Sequence, residues 1–219
     1  ATTVNGCENT FSRPVTIFPN PVAAFTGNNV CAGTPISFTN NSTVASGSIY
    51  SNYWTFDANG SSSDIHPTNT FTTDGTYTIT LVTTTTMGCR DTAIGSVTIH
   101  PIPMAAISSQ DGCLNSTTQF TDNSTVNSGN ITGWNWNFGD NTTSTTSAPT
   151  HTFAMPGTYP VTLDIVTNNG CVASAAIAVN IFPNPEAAFS TGNVCFGSPS
   201  QFVNQSGVIG GIAFTSNWN

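Results

Sequence analysis

The chain has 219 residues, a formal net charge of −8 and only 5% charged side chains; its two cationic residues are Arg13 and Arg90. Phosphate backbones and anionic lipid surfaces are held by clusters of Lys and Arg, so nucleic acid is excluded as a partner and so is electrostatic docking on a membrane. No apolar run approaches the ~20 residues that cross a bilayer as a helix, and no membrane insertion is expected. The bulk of the chain is Thr, Ser and Asn mixed with Val, Ile, Phe and Tyr, a composition that favours strands. Ala1-Thr2-Thr3-Val4 does not read as a signal peptide, so a targeting signal is expected to have been removed or to lie outside the chain.

Three independent series of residues share one interval. Cys31, Cys113 and Cys195 are 82 residues apart, as are Cys7, Cys89 and Cys171, and Trp54, Trp136 and Trp218. This register divides the chain. Residues 1–20 are the tail of one unit, 21–102 and 103–184 are complete units, and 185–219 begin another. The joints are Phe18-Pro19-Asn20-Pro21, His100-Pro101-Ile102-Pro103 and Phe182-Pro183-Asn184-Pro185. Their prolines fix φ and restrict the preceding residue, which predicts extended, stiff connections.

In chain order, the first unit offers short strands over Ala23 to Thr26 and Ile36 to Thr39. Tyr53-Trp54-Thr55-Phe56 then alternates aromatic and polar residues, the period of a half-buried strand. Thr76 to Val82 alternates likewise before the Met87-Gly88 turn. In the second unit Trp134-Asn135-Trp136-Asn137-Phe138 and Thr158 to Ile165 repeat the pattern. The Asn168-Asn169-Gly170 turn and a closing strand over Ala176 to Ile181 follow. Turn signals every 8–12 residues without helical periodicity predict an all-β fold of tandem immunoglobulin-like sandwiches. Trp54, Phe56, Trp136, Phe138 and Trp218 are the candidate core aromatics. The stop at Trp218-Asn219, in mid-motif, is read as a window on a longer array.

Trp136-Asn137-Phe138-Gly139-Asp140, Pro149-Thr150-His151-Thr152-Phe153 and Gly157-Thr158-Tyr159-Pro160-Val161-Thr162-Leu163 together resemble the PKD domain. The first unit carries the same motifs with Asp57-Ala58 where the second has Gly139-Asp140. Val30-Cys31-Ala32-Gly33 and Val194-Cys195-Phe196-Gly197, combined with Gly88-Cys89 and Gly170-Cys171, are similar to PKD arrays of Bacteroidota surface proteins, including gliding-motility adhesins. That resemblance implies export by type IX secretion.

No Cys-x2–4-Cys pair of the kind zinc sites use is present, and exported chains favour disulfides. In an immunoglobulin-like sandwich Cys31 would lie at the C-terminal pole and Cys89 at the N-terminal pole. Stacked domains would then join Cys31 to Cys171, with Cys7, Cys89, Cys113 and Cys195 finding partners outside the chain. An intradomain Cys31–Cys89 bond is the alternative. His66, His100 and His151 do not recur in the 82-residue register and form no nucleophile motif. Some PKD domains bind calcium, but the scattered aspartates form no Asp-x-Asp-x-Asp-Gly loop, so no cofactor is expected. Asp91-Thr92-Ala93 resembles the Bacteroidota O-glycosylation sequon, which makes Thr92 a candidate acceptor.

These features predict a non-enzymatic, extracellular or cell-surface repeat region. It would form a semi-rigid stalk or filament of an adhesin whose partners are neighbouring repeats, further copies of itself, or a surface glycan or protein ligand. The alternative is a carbohydrate- or protein-binding accessory region of a secreted hydrolase.

Overall fold

The computed structural model describes residues 1–208 and 215–217; Trp218 lies outside them. Every regular element among the described residues is a β-strand. The first domain contains β1 (Pro21–Val22), β2 (Phe25–Thr26), β3 (Val30–Cys31), β4 (Pro35–Ser37), β5 (Thr39–Asn40) and β6 (Thr43–Val44). These are followed by β7 (Ile49–Phe56), β8 (Ser61–Ser62), β9 (Thr68–Thr70), β10 (Gly75–Thr85) and β11 (Arg90–His100). The second contains β12 (Ile107–Ser109), β13 (Gly112–Cys113), β14 (Thr117–Asp122), β15 (Ile131–Asn137), β16 (Thr143–Ser144), β17 (Thr150–Thr152), β18 (Gly157–Thr167) and β19 (Val172–Phe182). Beyond it, β20 (Phe189–Thr191) pairs with β21 (Phe202–Asn204).

Each domain is a two-layer sandwich. One layer is a five-stranded sheet, in the order β3-β11-β10-β7-β8 in the first domain and β13-β19-β18-β15-β16 in the second. The other layer is β12-β14-β17 in the second domain and the short pairs β1-β6, β2-β5 and β4-β9 in the first. Residues Ala23 to Thr26 do not form one strand: β1 ends at Val22 and β2 starts at Phe25. The Ala23 amide donates to the Asp91 carboxylate (2.8 Å) and the Ala24 amide to Ser42 Oγ (3.1 Å). Side chains hold these two amides, so no strand ladder does.

Alternation along the strands makes the core. Trp54, Phe56, Ile79, Leu81, Val97 and Ile99 point inward in the first domain, packed on Phe38 and Phe71. The second domain repeats this with Trp136, Phe138, Val161, Leu163, Val179 and Ile181 on Phe120 and Phe153. Trp54 and Trp136 are both fully buried. Each indole Nε1 finds one partner, the carbonyl of Asp64 or of Thr146, at 2.9 Å. A buried Trp needs such an acceptor.

Among the described residues, Thr83 Oγ1 and Thr118 Oγ1 are buried hydroxyls without a partner. In the 82-residue register, Thr83 corresponds to Ile165 and Thr118 to Ile36, both buried. An unpaired buried hydroxyl costs about 1–3 kcal/mol. Thr83→Val and Thr118→Val are therefore each expected to stabilise their own domain by about 1 kcal/mol in urea titrations.

Candidate functional site

The chemistry-bearing side chains of these sandwiches gather at the strand ends. Cys31 pairs in parallel register with His100, the last residue of β11, and Cys113 pairs likewise with Phe182, the last residue of β19. Cys31, Cys113 and Cys195 each open a tight turn, their carbonyls accepting from the amides of Thr34, Ser116 and Ser198 at 3.0 Å. We call these the end cysteines.

Cys7, Cys89 and Cys171 close a different turn. The amides of Thr3, Thr85 and Thr167 donate to their carbonyls at 2.9 Å. The same threonine hydroxyls accept from the cysteine amides at 3.1, 3.2 and 3.1 Å. The preceding Gly6, Gly88 and Gly170 sit at φ of 78°, 81° and 79°, a region glycine enters freely. We call these the hairpin cysteines.

Within a domain the two kinds are far apart. Cys31 flanks one end of β11 and Cys89 precedes the other, and the strand between them has 11 residues. At ~3.3 Å per residue this is about 33 Å, against the ~7 Å between Cα atoms that a disulfide tolerates. An intradomain Cys31–Cys89 bond is thereby excluded. Cys7, Cys89, Cys113 and Cys195 carry free thiols, whereas Cys31 and Cys171 are each engaged in a disulfide.

The second domain contains a polar cluster that motif reading missed. His151 Nε2 meets Asp140 Oδ2 at 2.7 Å, and its ring stacks on Phe138 with centroids 4.3 Å apart. Asp140 also accepts from the Thr142 amide (3.1 Å) and hydroxyl. Burial raises the Asp140 pKa, but the hydrogen bonds from Thr142 and His151, with the His151 charge, outweigh it and hold the group below the ordinary aspartate value. In the first domain the equivalent positions are Ala58 and Asn69, and Asn69 Nδ2 is buried without a partner. Loss of both members together was the available signal. A second exchange follows the same logic: Trp134 Nε1 donates to Asp122 (2.6 Å), where the first domain has Asn40 Nδ2 donating to Asn52 (2.8 Å).

A lowered Asp140 pKa favours the folded state above the unfolded value near pH 4, and this contribution is lost as pH falls through the folded pKa. Calorimetry below about pH 4 is therefore expected to show a second domain whose melting temperature falls less steeply in Asp140→Asn than in the parent chain.

The other candidates lie apart. His66 Nδ1 accepts from the Asn40 amide (3.1 Å), and His100 ends β11. Thr92 is exposed on β11, next to Asp91, whose carboxylate is engaged by the Ala23 amide. Among the described residues, no three His, Cys, Asp or Glu side chains converge as ligands for a metal ion. Among the described residues, no helix is long and apolar enough to cross a membrane.

The family model described as PKD domain matches residues 19–99 and again 100–181. The chain belongs to the PKD domain family. PKD domains are non-catalytic modules. Among curated proteins, collagenase ColA of Bacillus cereus is 34% identical over 80 residues, covering 36% of this chain and 8% of that protein. A microbial collagenase of Vibrio alginolyticus is 39% identical over 61 residues, covering 28% of this chain and 8% of that protein. The chain therefore spans a small part of the length of the relatives it matches. Among solved structures, the PKD1 domain of the Vibrio cholerae metalloprotease PrtV is 28% identical, with a TM-score of 0.35, covering 36% of this chain and 96% of that one.

Proposed function

We propose that this chain is a stretch of the repeat region of a large secreted or cell-surface adhesin, forming a semi-rigid extracellular stalk or filament. The observation that carries this reading is the fidelity of the 82-residue register. Core aromatics, hairpins, Pro-x-Pro joints and both cysteine series recur in it. Tandem repeats extend a protein by adding units that touch only their neighbours. A surface rich in Thr, Ser and Asn with 5% charge gives long-range electrostatics, and so salt, little to act on. The partners proposed are neighbouring repeats, further copies in a filament, and a surface glycan or protein. The cysteine pattern supports the likeness to Bacteroidota adhesins and export by type IX secretion.

The collagenase matches favour a second reading, an accessory region of a secreted hydrolase. Electron microscopy of the native, full-length protein separates the two. A thin, beaded projection with many units supports the stalk. A compact particle that degrades collagen and carries only a few beads overturns it.

Thr92 is the proposed O-glycan acceptor. Protein from the native host is expected to be heavier than its sequence mass by one glycan, and Thr92→Val to lose that increment; an unmodified Thr92 peptide removes the assignment.

A further inference from the structure

We propose that Cys31 and Cys171 are bonded to each other, and that this bond is one rung of a ladder joining the end cysteine of each repeat to the hairpin cysteine of the next. It deepens the stalk reading and rests on it for its purpose. Two contacts carry it, both inside the unit formed by residues 1–100. The first is the parallel register that sets Cys31 beside His100, about 4.8 Å away across a strand pair. The second involves Phe18, the residue that precedes His100 by one repeat length. Cys89 Sγ lies 3.9 Å from the Phe18 carbonyl oxygen. Phe18 and Pro19 also line a crevice with Ser46, Gly47, Thr85 and Met87, beside the same hairpin.

The hairpin cysteine Cys89 thus reaches Phe18, which stands in the register where His100 ends β11. An end cysteine sits beside the last strand residue of its own repeat. In the 82-residue register, Cys171 stands to His100 as Cys89 stands to Phe18. The hairpins around Cys89 and Cys171 have the same hydrogen bonds, so the contact transfers. On this proposal Cys31 and Cys171 both come to His100, the kind of approach that the ~7 Å between Cα atoms of a disulfide requires. Their disulfide-bonded state agrees with this pairing.

Closing the bond removes two thiol protons and two electrons. An external disulfide oxidant accepts them and leaves as a dithiol, the exchange common to exported proteins. The same rule gives Cys89 the end cysteine of a preceding repeat and Cys113 the hairpin cysteine of a following one, wherever such repeats flank this chain.

Trypsin has one cleavable site in this chain, after Arg90, because Arg13 is followed by Pro14; cyanogen bromide is therefore the better tool, cutting after Met87, Met104 and Met155. Free thiols are first blocked by alkylation. Fragments 1–87 and 156–219 are then expected to travel as one species that separates on reduction, with Cys7 and Cys195 alkylated on it. Cys31→Ser is expected to release Cys171 for alkylation. Fragment 1–87 bonded to 88–104, 105–155 bonded to 156–219, or alkylation of all six cysteines would each overturn the pairing. In the native array, alkylation of Cys89 and Cys113 without reduction would overturn the ladder. Micrographs of the native protein judge the stalk separately, so either idea can fail alone.

Discussion

Trp136→Ala is expected to unfold the second PKD domain selectively, leaving the first folded. Trp136 is fully buried, makes ring contact with Phe120 at 5.8 Å, and donates its only N–H to the Thr146 carbonyl. Truncating a buried Trp costs about 3–5 kcal/mol through lost transfer energy and the cavity left behind. A domain of this size has only about 5–10 kcal/mol in total. At about 4–8 °C per kcal/mol for domains of this length, the second transition should fall by roughly 15–30 °C. Each core is its own cluster, with no residue shared between the two. Scanning calorimetry should therefore show one transition moved and one kept, and Trp54→Ala should give the reverse. A single transition that moves as a whole in both variants would refute the independence of the domains.

Gly139→Ala is expected to be nearly as damaging, and its counterpart in the first domain shows why. Gly139 has φ of 79°, where a Cβ costs about 1–2 kcal/mol. A Cβ there would also lie 2.9 Å from both the carbonyl oxygen and Cδ of Pro160. Backbone and a rigid ring cannot retreat cheaply, and overpacking adds about 1–3 kcal/mol. The loss should be about 2–4 kcal/mol, read as a lower urea midpoint for the second domain. In the first domain Asp57 occupies this turn at φ of 54°, and Thr78 stands where Pro160 does. Aspartate is among the few residues that enter the left-handed region at modest cost. Asp57→Gly should therefore raise the stability of the first domain by up to about 1 kcal/mol.

The large features of this fold are legible in the sequence because they are periodic. Trp134 to Phe138 alternates, and the structure buries Trp136 and Phe138 completely while leaving Asn135 and Asn137 exposed. The repeat is visible because hairpins, joints and core aromatics must recur wherever the domain does. What is not legible depends on partners remote in the chain. The break between β1 and β2 needs Asp91, 68 residues away from Ala23. The Asp140–His151 pair joins the connection after β15 to a residue of β17, and neither looks unusual alone. The placement of Cys31 beside the last residue of β11 required the parallel register of β3 with β11, which two residue pairs define.

The unlike polar pairs in the two domains bear on how a chain of near-copies folds without confusing its parts. Adjacent domains with similar strands can exchange them and become trapped, a characteristic failure of multidomain and repeat proteins. Here an exchanged β15 would set Trp134 against Asn40, and an exchanged β7 would leave the Asp122 carboxylate facing Asn52. Swapping the segment that carries Asp140 would strand His151 opposite Ala58 and lay a carboxylate beside Asn69. The penalty falls on His151, which would face Ala58 without its carboxylate partner, at about 1–3 kcal/mol. Neighbours that share a core but differ in these polar contacts can tell self from next-door during folding.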